Sequence, residues 1–261
     1  MPLKELQAAV EGLLFLAAEG PEEELFTVSA GGEEVAVAWP EPLFPFLLVN
    51  MGSGVSVVRV DSEDHFARVG GTACGGATFL GLARALTGVS DFRELMTMAA
   101  RGNVLRVDKL VGDIYGRDGC VDLGMPAHLT AASFGKLATA SAADTGREGH
   151  ADDIVASLLR MVVQASVVLA KALVTSGGGV GGGSGEGAEG GEGGAGKGST
   201  PMDRIFFVGG FVGARENELA RRMIAESMAQ VGGRAIFCKH AEFLGALGSL
   251  ADCLLRHRLG S

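Results

Sequence analysis

The chain has 261 residues, of which 47% are hydrophobic and 20% charged, and a formal net charge of −9. The apolar content is too high for a disordered chain, and the length can bury one sizeable core or two small ones. The acidic balance argues against a nucleic-acid binder held by a basic surface. Glycine is the outlier at 42 residues, and 14 of these fall between Gly177 and Gly198.

In chain order, an amphipathic helix is expected over Leu3–Ala17, carried by Leu3, Leu6, Val10, Leu13 and Leu14. Short strands at Leu25–Ser29 and Glu34–Trp39 flank the Gly31-Gly32 turn. Beyond Pro40, Pro42 and Pro45, the run Phe46–Asn50 is the best strand signal in the chain. Val55–Val60 returns after a tight MGSG turn, which predicts a β-hairpin. The glycine-rich segment Arg68–Phe79 then opens a helix over Phe79–Leu86. Short helices follow at Asp91–Ala100 and Val107–Tyr115, with a long one at Asp152–Val174. The last third holds a buried strand from Arg204 ending in a glycine pair, a helix at Glu216–Gln230, a strand at Arg234–Cys238 and a helix from Glu242 to about His257. Strands alternating with helices argue for an α/β fold with a parallel component.

The tract at 177–198 has an expected span of about 26 Å and reads as a surface insertion in one discontinuous domain, 1–176 and 199–261. Loop-closure cost grows slowly with length, so the fold tolerates it. Four separated cysteines (Cys74, Cys120, Cys238, Cys253) fit reduced thiols in a cytoplasmic protein. The N-terminus lacks a clean signal-peptide pattern. Ile154–Val174 is long enough to cross a membrane, but Arg160, Gln164 and Lys171 interrupt it. A central Arg costs about 2.5–3.5 kcal/mol on insertion, so a buried helix is expected and no membrane span. Trp39 is expected to pack at a strand end, and Asp152 and Asp153 to mark a helix N-terminus. The five histidines show no metal-ligand spacing, and no metal site of protein ligands is expected.

Three glycine sites suit anion or nucleotide binding. The turn with Gly52, Ser53, Gly54 and Ser56 offers backbone N–H groups and two hydroxyls, or is an ordinary tight hairpin. Gly70–Thr78 lies before a helix, where amides and the helix dipole favour an anion, or is a glycine-rich cap with Thr78 as the capping residue. Arg68 stands just upstream as a potential anion clamp. Gly209 and Gly210 end a hydrophobic strand, where glycines let a flat base approach the backbone.

The segments LLVNMGSGVSVVRVDSEDHFARVGGTACGGATFLGLARALTG, MAARGNVLRVDKLVGDIYG, AASFGKL, FFVGGF and HAEFLGALGSL closely resemble the eukaryotic-type (type II) pantothenate kinases. The resemblance implies an actin-like (ribonuclease H-like) ATPase fold, mostly the second half of the duplicated fold. It also implies ATP-dependent phosphorylation of pantothenate in coenzyme A synthesis, Mg²⁺ arriving with ATP, feedback inhibition by acyl-CoA such as acetyl-CoA, and dimerisation. Carried onto this chain, Ser53, Ser56 and Arg68 fall at the pantothenate and phosphoryl-transfer positions. Gly52, Gly54, Gly71, Thr72, Gly75 and Gly76 match the phosphate-binding turns, and Gly209 and Gly210 the adenosine motif.

The resemblance also implies a DxGG phosphate motif and a catalytic glutamate, both expected upstream of Met1, so the chain alone is expected to be incomplete. Family GNF reads Gly209-Gly210-Phe211 here, and the arginine that usually follows is Gly213, with Arg215 two residues on. HEGYFGA reads His240-Ala-Glu-Phe-Leu-Gly-Ala246 and SFGN reads Ser133-Phe-Gly-Lys136. These departures leave open an alternative, a non-catalytic, acyl-CoA-binding subunit in a homodimer or heterodimer of pantothenate kinases.

Overall fold

The computed structural model describes residues 3–141, 149–175, 200–213 and 217–259. The expected insertion at 177–198 and Arg215 lie outside them. Seven strands form one sheet in the order β2-β1-β9-β8-β3-β4-β5. Its centre is β3 (Phe46–Met51), antiparallel to β4 (Val55–Ser62) and parallel to β8 (Ile205–Val208). On one side β5 (His65–Thr72) adds antiparallel to β4. On the other, β9 (Ala235–Cys238) runs parallel to β8, and β1 (Leu25–Val28) and β2 (Glu34–Val37) close the sheet antiparallel. The expected α/β class with parallel strands is what forms. The five-stranded order β5-β4-β3-β8-β9 is that of one half of a duplicated actin-like fold.

β3 and β8 read FLLVNM and IFFV because both faces of these strands are covered. Leu47, Val49, Met51, Ile205 and Phe207 enter a core roofed by α2 (Gly76–Thr87), α3 (Phe92–Arg101), α5 (His150–Thr175) and α7 (Glu218–Gln230). Phe46, Leu48, Phe206 and Val208 enter a second core under α1 (Leu3–Glu19) and α8 (Leu244–Leu259). Trp39 packs on Phe206, ring centroids 6.0 Å apart, as its place at a strand end suggests. Two small residues allow α1 and α8 to meet closely. A Cβ on Gly12 would lie 2.7 Å from the Leu244 carbonyl carbon, and one on Gly248 2.8 Å from that of Ala8. Helix α5 is long and apolar enough to cross a membrane, yet 61% of its most apolar stretch is buried within the fold, as expected of a core helix. Its first turn carries Asp152 and Asp153.

Two expectations need correction. The segment from Arg68 to Thr72 is strand, not loop: Gly71 pairs with Ser56 and Thr72 with Val55. Arg68 and Gly70 oppose consecutive residues of β4, so Val69 is a bulge that bends the edge strand. The second is Val107–Tyr115, which is not one helix. Lys109-Leu110 pairs as β6 with β7 (Thr130–Ala132), and only Val111–Tyr115 is helical (α4). Asp108, fully buried, forces this break. Its carboxylate accepts the Phe134 N–H at 2.9 Å and the Ser157 hydroxyl, tying the segment to α5.

A second buried carboxylate ties β1 to β9. Glu24 is fully buried, and its Oε1 accepts the Cys238 thiol at 2.7 Å and the His240 backbone N–H at 3.0 Å. Its Oε2 lies 2.6 Å from His240 Nδ1, and its carbonyl accepts the Lys239 N–H at 3.0 Å. Burial pushes the carboxyl up. The Cys238 thiol, then the amide, ring and charge of His240, outweigh it and hold the group below its ordinary 4.5. Burial and the same carboxylate push the Cys238 thiol up, so it stays a neutral donor. A folded-state value below the unfolded one means that Glu24 contributes stability above the unfolded pKa. That stability is lost as pH falls through the folded value. The melting temperature of the wild-type protein should therefore drop more steeply between about pH 5 and pH 3 than that of Glu24→Gln. Parallel slopes in thermal melts would show that the carboxylate carries no linked stability.

Candidate functional site

The expected site residues gather at one end of the sheet, where the parallel strands β3 and β8 terminate. In ladder register, Val208, Asn50, Ser56 and Gly71 form one row across β8, β3, β4 and β5. Alternation places Asn50 and Ser56 on the same face as Leu48 and Val58, which carry the α1–α8 core. Arg68, paired with Val58, shares that face and is exposed. Its Nε donates to Ser56 Oγ at 3.3 Å, and its guanidinium lies over Gly71, where a Cβ would collide with it. Ser53 sits exposed at the hairpin tip. The structure thus brings Ser56 and Arg68 into contact, with Ser53 at the turn that follows β3.

The three glycine corners touch one another. The Gly76 N–H donates to the Gly52 carbonyl at 2.8 Å and the Ala77 N–H to the Ser53 carbonyl at 3.0 Å. The hairpin turn therefore caps α2. Two further amides of this loop are occupied: Cys74 N–H by Thr72 Oγ1 at 3.0 Å, and Gly75 N–H by Thr78 Oγ1 at 3.3 Å. The amides of Cys74, Gly75, Gly76 and Ala77 are thus engaged within the protein. Thr78 does take a capping part, from the first turn and not from the cap position itself.

Close packing explains most of the glycines. A Cβ on Gly75 would lie 2.6 Å from Gly54 Cα, and one on Gly76 2.9 Å from the Gly52 oxygen and 3.0 Å from the Phe211 ring. One on Gly54 would lie 3.1 Å from the Thr72 carbonyl oxygen. Gly209 has φ of 96° and would press a Cβ onto the Asn50 side chain and, at 2.6 Å, onto the Met51 oxygen. Gly52 and Gly210 differ: a Cβ on either would meet nothing within 4 Å. Both border open space at the ends of adjacent strands, and neither needs to be glycine for packing.

The corner after β8 is a single helical turn, α6 (Gly210–Gly213), held from outside by buried groups. Arg221, on α7, donates to the Val212 carbonyl at 3.0 Å, and the Asn217 amide donates to that of Phe211. Arg221 also pairs with Glu34 at 3.3 Å. On its far side Gly213 abuts the turn Ala241–Phe243, where a Cβ would lie 2.7 Å from Glu242 Cγ. Sequence reasoning missed Asn50, Asn217 and Arg221. Asn50 had a local signal, as the one polar residue inside the run FLLVNM. Among the described residues, no group of three His, Cys, Asp or Glu is placed to hold a metal ion.

These contacts separate two kinds of glycine experimentally. Gly75→Ala must displace backbone and should cost about 1–3 kcal/mol by overpacking. Gly81→Ala, at an exposed position of α2 with open space around it, should gain about 0.5–1 kcal/mol. Denaturant titration of both variants checks this, and equal effects would contradict the packing account.

Residues 2–175 match the Fumble family. The chain is 33% identical over 252 residues to pantothenate kinase 1 of Arabidopsis thaliana, covering 95% of this chain and 58% of that protein. It is 37% identical over 210 residues to 4'-phosphopantetheine phosphatase of Mus musculus, covering 79% of this chain and 22% of that protein. For pantothenate kinase 2 of Arabidopsis thaliana the identity is 34% over 266 residues, with 98% and 26% covered. The chain thus spans 22% to 58% of the length of these relatives. Among solved structures, component A of the Acidaminococcus fermentans (R)-2-hydroxyglutaryl-CoA dehydratase aligns at 16% identity and a TM-score of 0.45, over 94% of this chain and 65% of that one. The fold rests on the sheet itself. With more than half of its length inside the family match, the chain belongs to the Fumble family.

Proposed function

We propose that this chain forms the pantothenate- and nucleotide-facing part of a pantothenate kinase, which transfers the γ-phosphoryl group of ATP to pantothenate in coenzyme A synthesis. The observation that carries the reading is the Ser56–Arg68 pair at the same end of the sheet as Gly52 and Gly210, two glycines that face open space at the ends of β3 and β8. Ligands of open α/β sheets bind at such strand ends. Phosphoryl transfer needs positioning and charge stabilisation more than covalent help from the protein.

In this reading Ser56 orients the Arg68 guanidinium by accepting from Nε, leaving its outer N–H groups for the pantothenate carboxylate and the charge developing on the phosphoryl group. Ser53 offers a hydroxyl from the tip of the turn. Gly52 lets the phosphates approach the hairpin, and Gly210 lets the adenosine approach α6. The packed glycines Gly54, Gly71, Gly75, Gly76 and Gly209, with Thr72, act by holding these corners together. Mg²⁺ enters as part of the ATP substrate. The proton acceptor for the pantothenate hydroxyl is assigned to none of the described residues.

The proposal includes acyl-CoA as inhibitor, a cytoplasmic location and a dimer. Leu105, Ile114, Tyr115, Val121 and Leu123, all at least half exposed in the segment around α4, offer an apolar surface for self-association.

Arg68→Ala should lower kcat/KM for pantothenate phosphorylation by about 10²–10³-fold in the intact protein. Arg68→Lys should recover only part of it, because a point charge cannot reproduce the planar fork. Steady-state assays varying ATP and pantothenate read both variants. Near-normal turnover in Arg68→Ala would remove Arg68 from the site.

A further inference from the structure

Glu24 takes no part in the reactions proposed above, yet it is fully buried and bonded to the end of β9. Four contacts from this one residue fix Cys238, Lys239 and His240, the three positions at which the chain leaves β9. An apolar residue of similar volume would stabilise the fold as well or better than a buried ion. A carboxylate adds direction, since each acceptor oxygen sets where its donors must lie. The residues that follow form the turn Ala241–Phe243, which packs on Gly213 at the end of α6. The other end of α6 is Gly210, the glycine that faces open space. A rigid chain of contacts therefore runs from Glu24 through His240 and Glu242 to the α6 corner. Arg221 and Asn217 hold the same corner from the opposite side.

We infer that Glu24, acting through His240, is a positioning residue for the nucleotide: the pair sets where α6 sits and hence the wall that meets the adenosine. The inference rests on the reading of Gly209-Gly210 as the nucleotide side of the site. The half-exposed His240 ring transmits the position of Glu24 and does not touch the transferred group. Cys238 bonds the same Oε1 but lies within β9, before the turn, so it anchors the carboxylate without steering α6.

Four variants of the intact protein test this: Glu24→Gln, His240→Ala, Cys238→Ala and Gly210→Leu. The readouts are the KM for ATP, the KM for pantothenate and, by calorimetry, the Kd of a non-hydrolysable ATP analogue, each on protein whose melting temperature exceeds the assay temperature. Glu24→Gln and His240→Ala should raise the KM for ATP and the analogue Kd by about 10- to 100-fold, the scale of a remote misplacement near 1 Å, with the KM for pantothenate nearly unchanged. Cys238→Ala removes one of the two donors to Oε1 and should raise the KM for ATP by a smaller factor, with the KM for pantothenate unchanged. Gly210→Leu, whose Cβ would meet no protein atom within 4 Å, should weaken ATP alone. If Gly210→Leu weakens ATP while Glu24→Gln and His240→Ala do not, the inference is overturned and the nucleotide reading stands. Equal loss of both substrates in His240→Ala also overturns it, since that is the signature of a general structural role. If Gly210→Leu leaves ATP untouched, the nucleotide reading fails and the inference with it. His240→Ala alters a half-exposed side chain, and answers the question should Glu24→Gln prove too unstable to assay.

Discussion

The contact on which the site depends is the pair of hydrogen bonds from the first amides of α2 to the carbonyls of Gly52 and Ser53. They weld the β3–β4 turn to the N-terminus of the helix that follows β5. That weld is possible only because backbone meets backbone at Gly54 and Gly75 with no side chain between. Phe211 and Gly209 complete the cluster from β8, against Gly76 and Asn50. Three connections far apart in sequence thereby become one rigid rim, and the Ser56–Arg68 pair stands on the strands directly below it.

The same weld revises what glycine means here. Glycines before a helix suggest free amides waiting for an anion, and the structure shows four of them, Cys74 to Ala77, bonded within the protein. What remains for a ligand is the outer surface of the rim, at Gly52 and Gly210, together with hydroxyls and one guanidinium. A rim held by its own backbone hydrogen bonds needs little reorganisation when a ligand arrives, which suits the proposed phosphoryl transfer.

Much of this was legible in the sequence because the signals were local. The hairpin around MGSG, the buried strand IFFV and the long apolar helix each follow from a run of one periodicity. Ser56 and Arg68 could be named from their glycine-rich surroundings and the family resemblance. The edge strand β5 was hidden by its two glycines and by the bulge at Val69, which breaks the alternation that marks a strand. The break at Lys109-Leu110 was hidden because it depends on Asp108 finding Phe134 and Ser157, partners 26 and 49 residues away. Glu24 looked like one more charge in an acidic stretch, since its partners lie more than 200 residues downstream.

Two of those hidden residues share a physical role with Asp153. Glu24, Asp108 and Asp153 are buried carboxylates, each placed in or beside a connection and each accepting backbone N–H groups from another segment. Asn217 and Arg221 do the converse, donating to carbonyls of the α6 turn. Apolar strands need no such help, because ladder bonds and burial on both faces fix them. A connection has neither, and its buried backbone groups must find partners or lose stability. In this chain the connections carry the site, so the polar groups that satisfy them also decide how firmly the site is held. The sheet places the candidate site at one end, and the buried charges behind the loops give that end its shape.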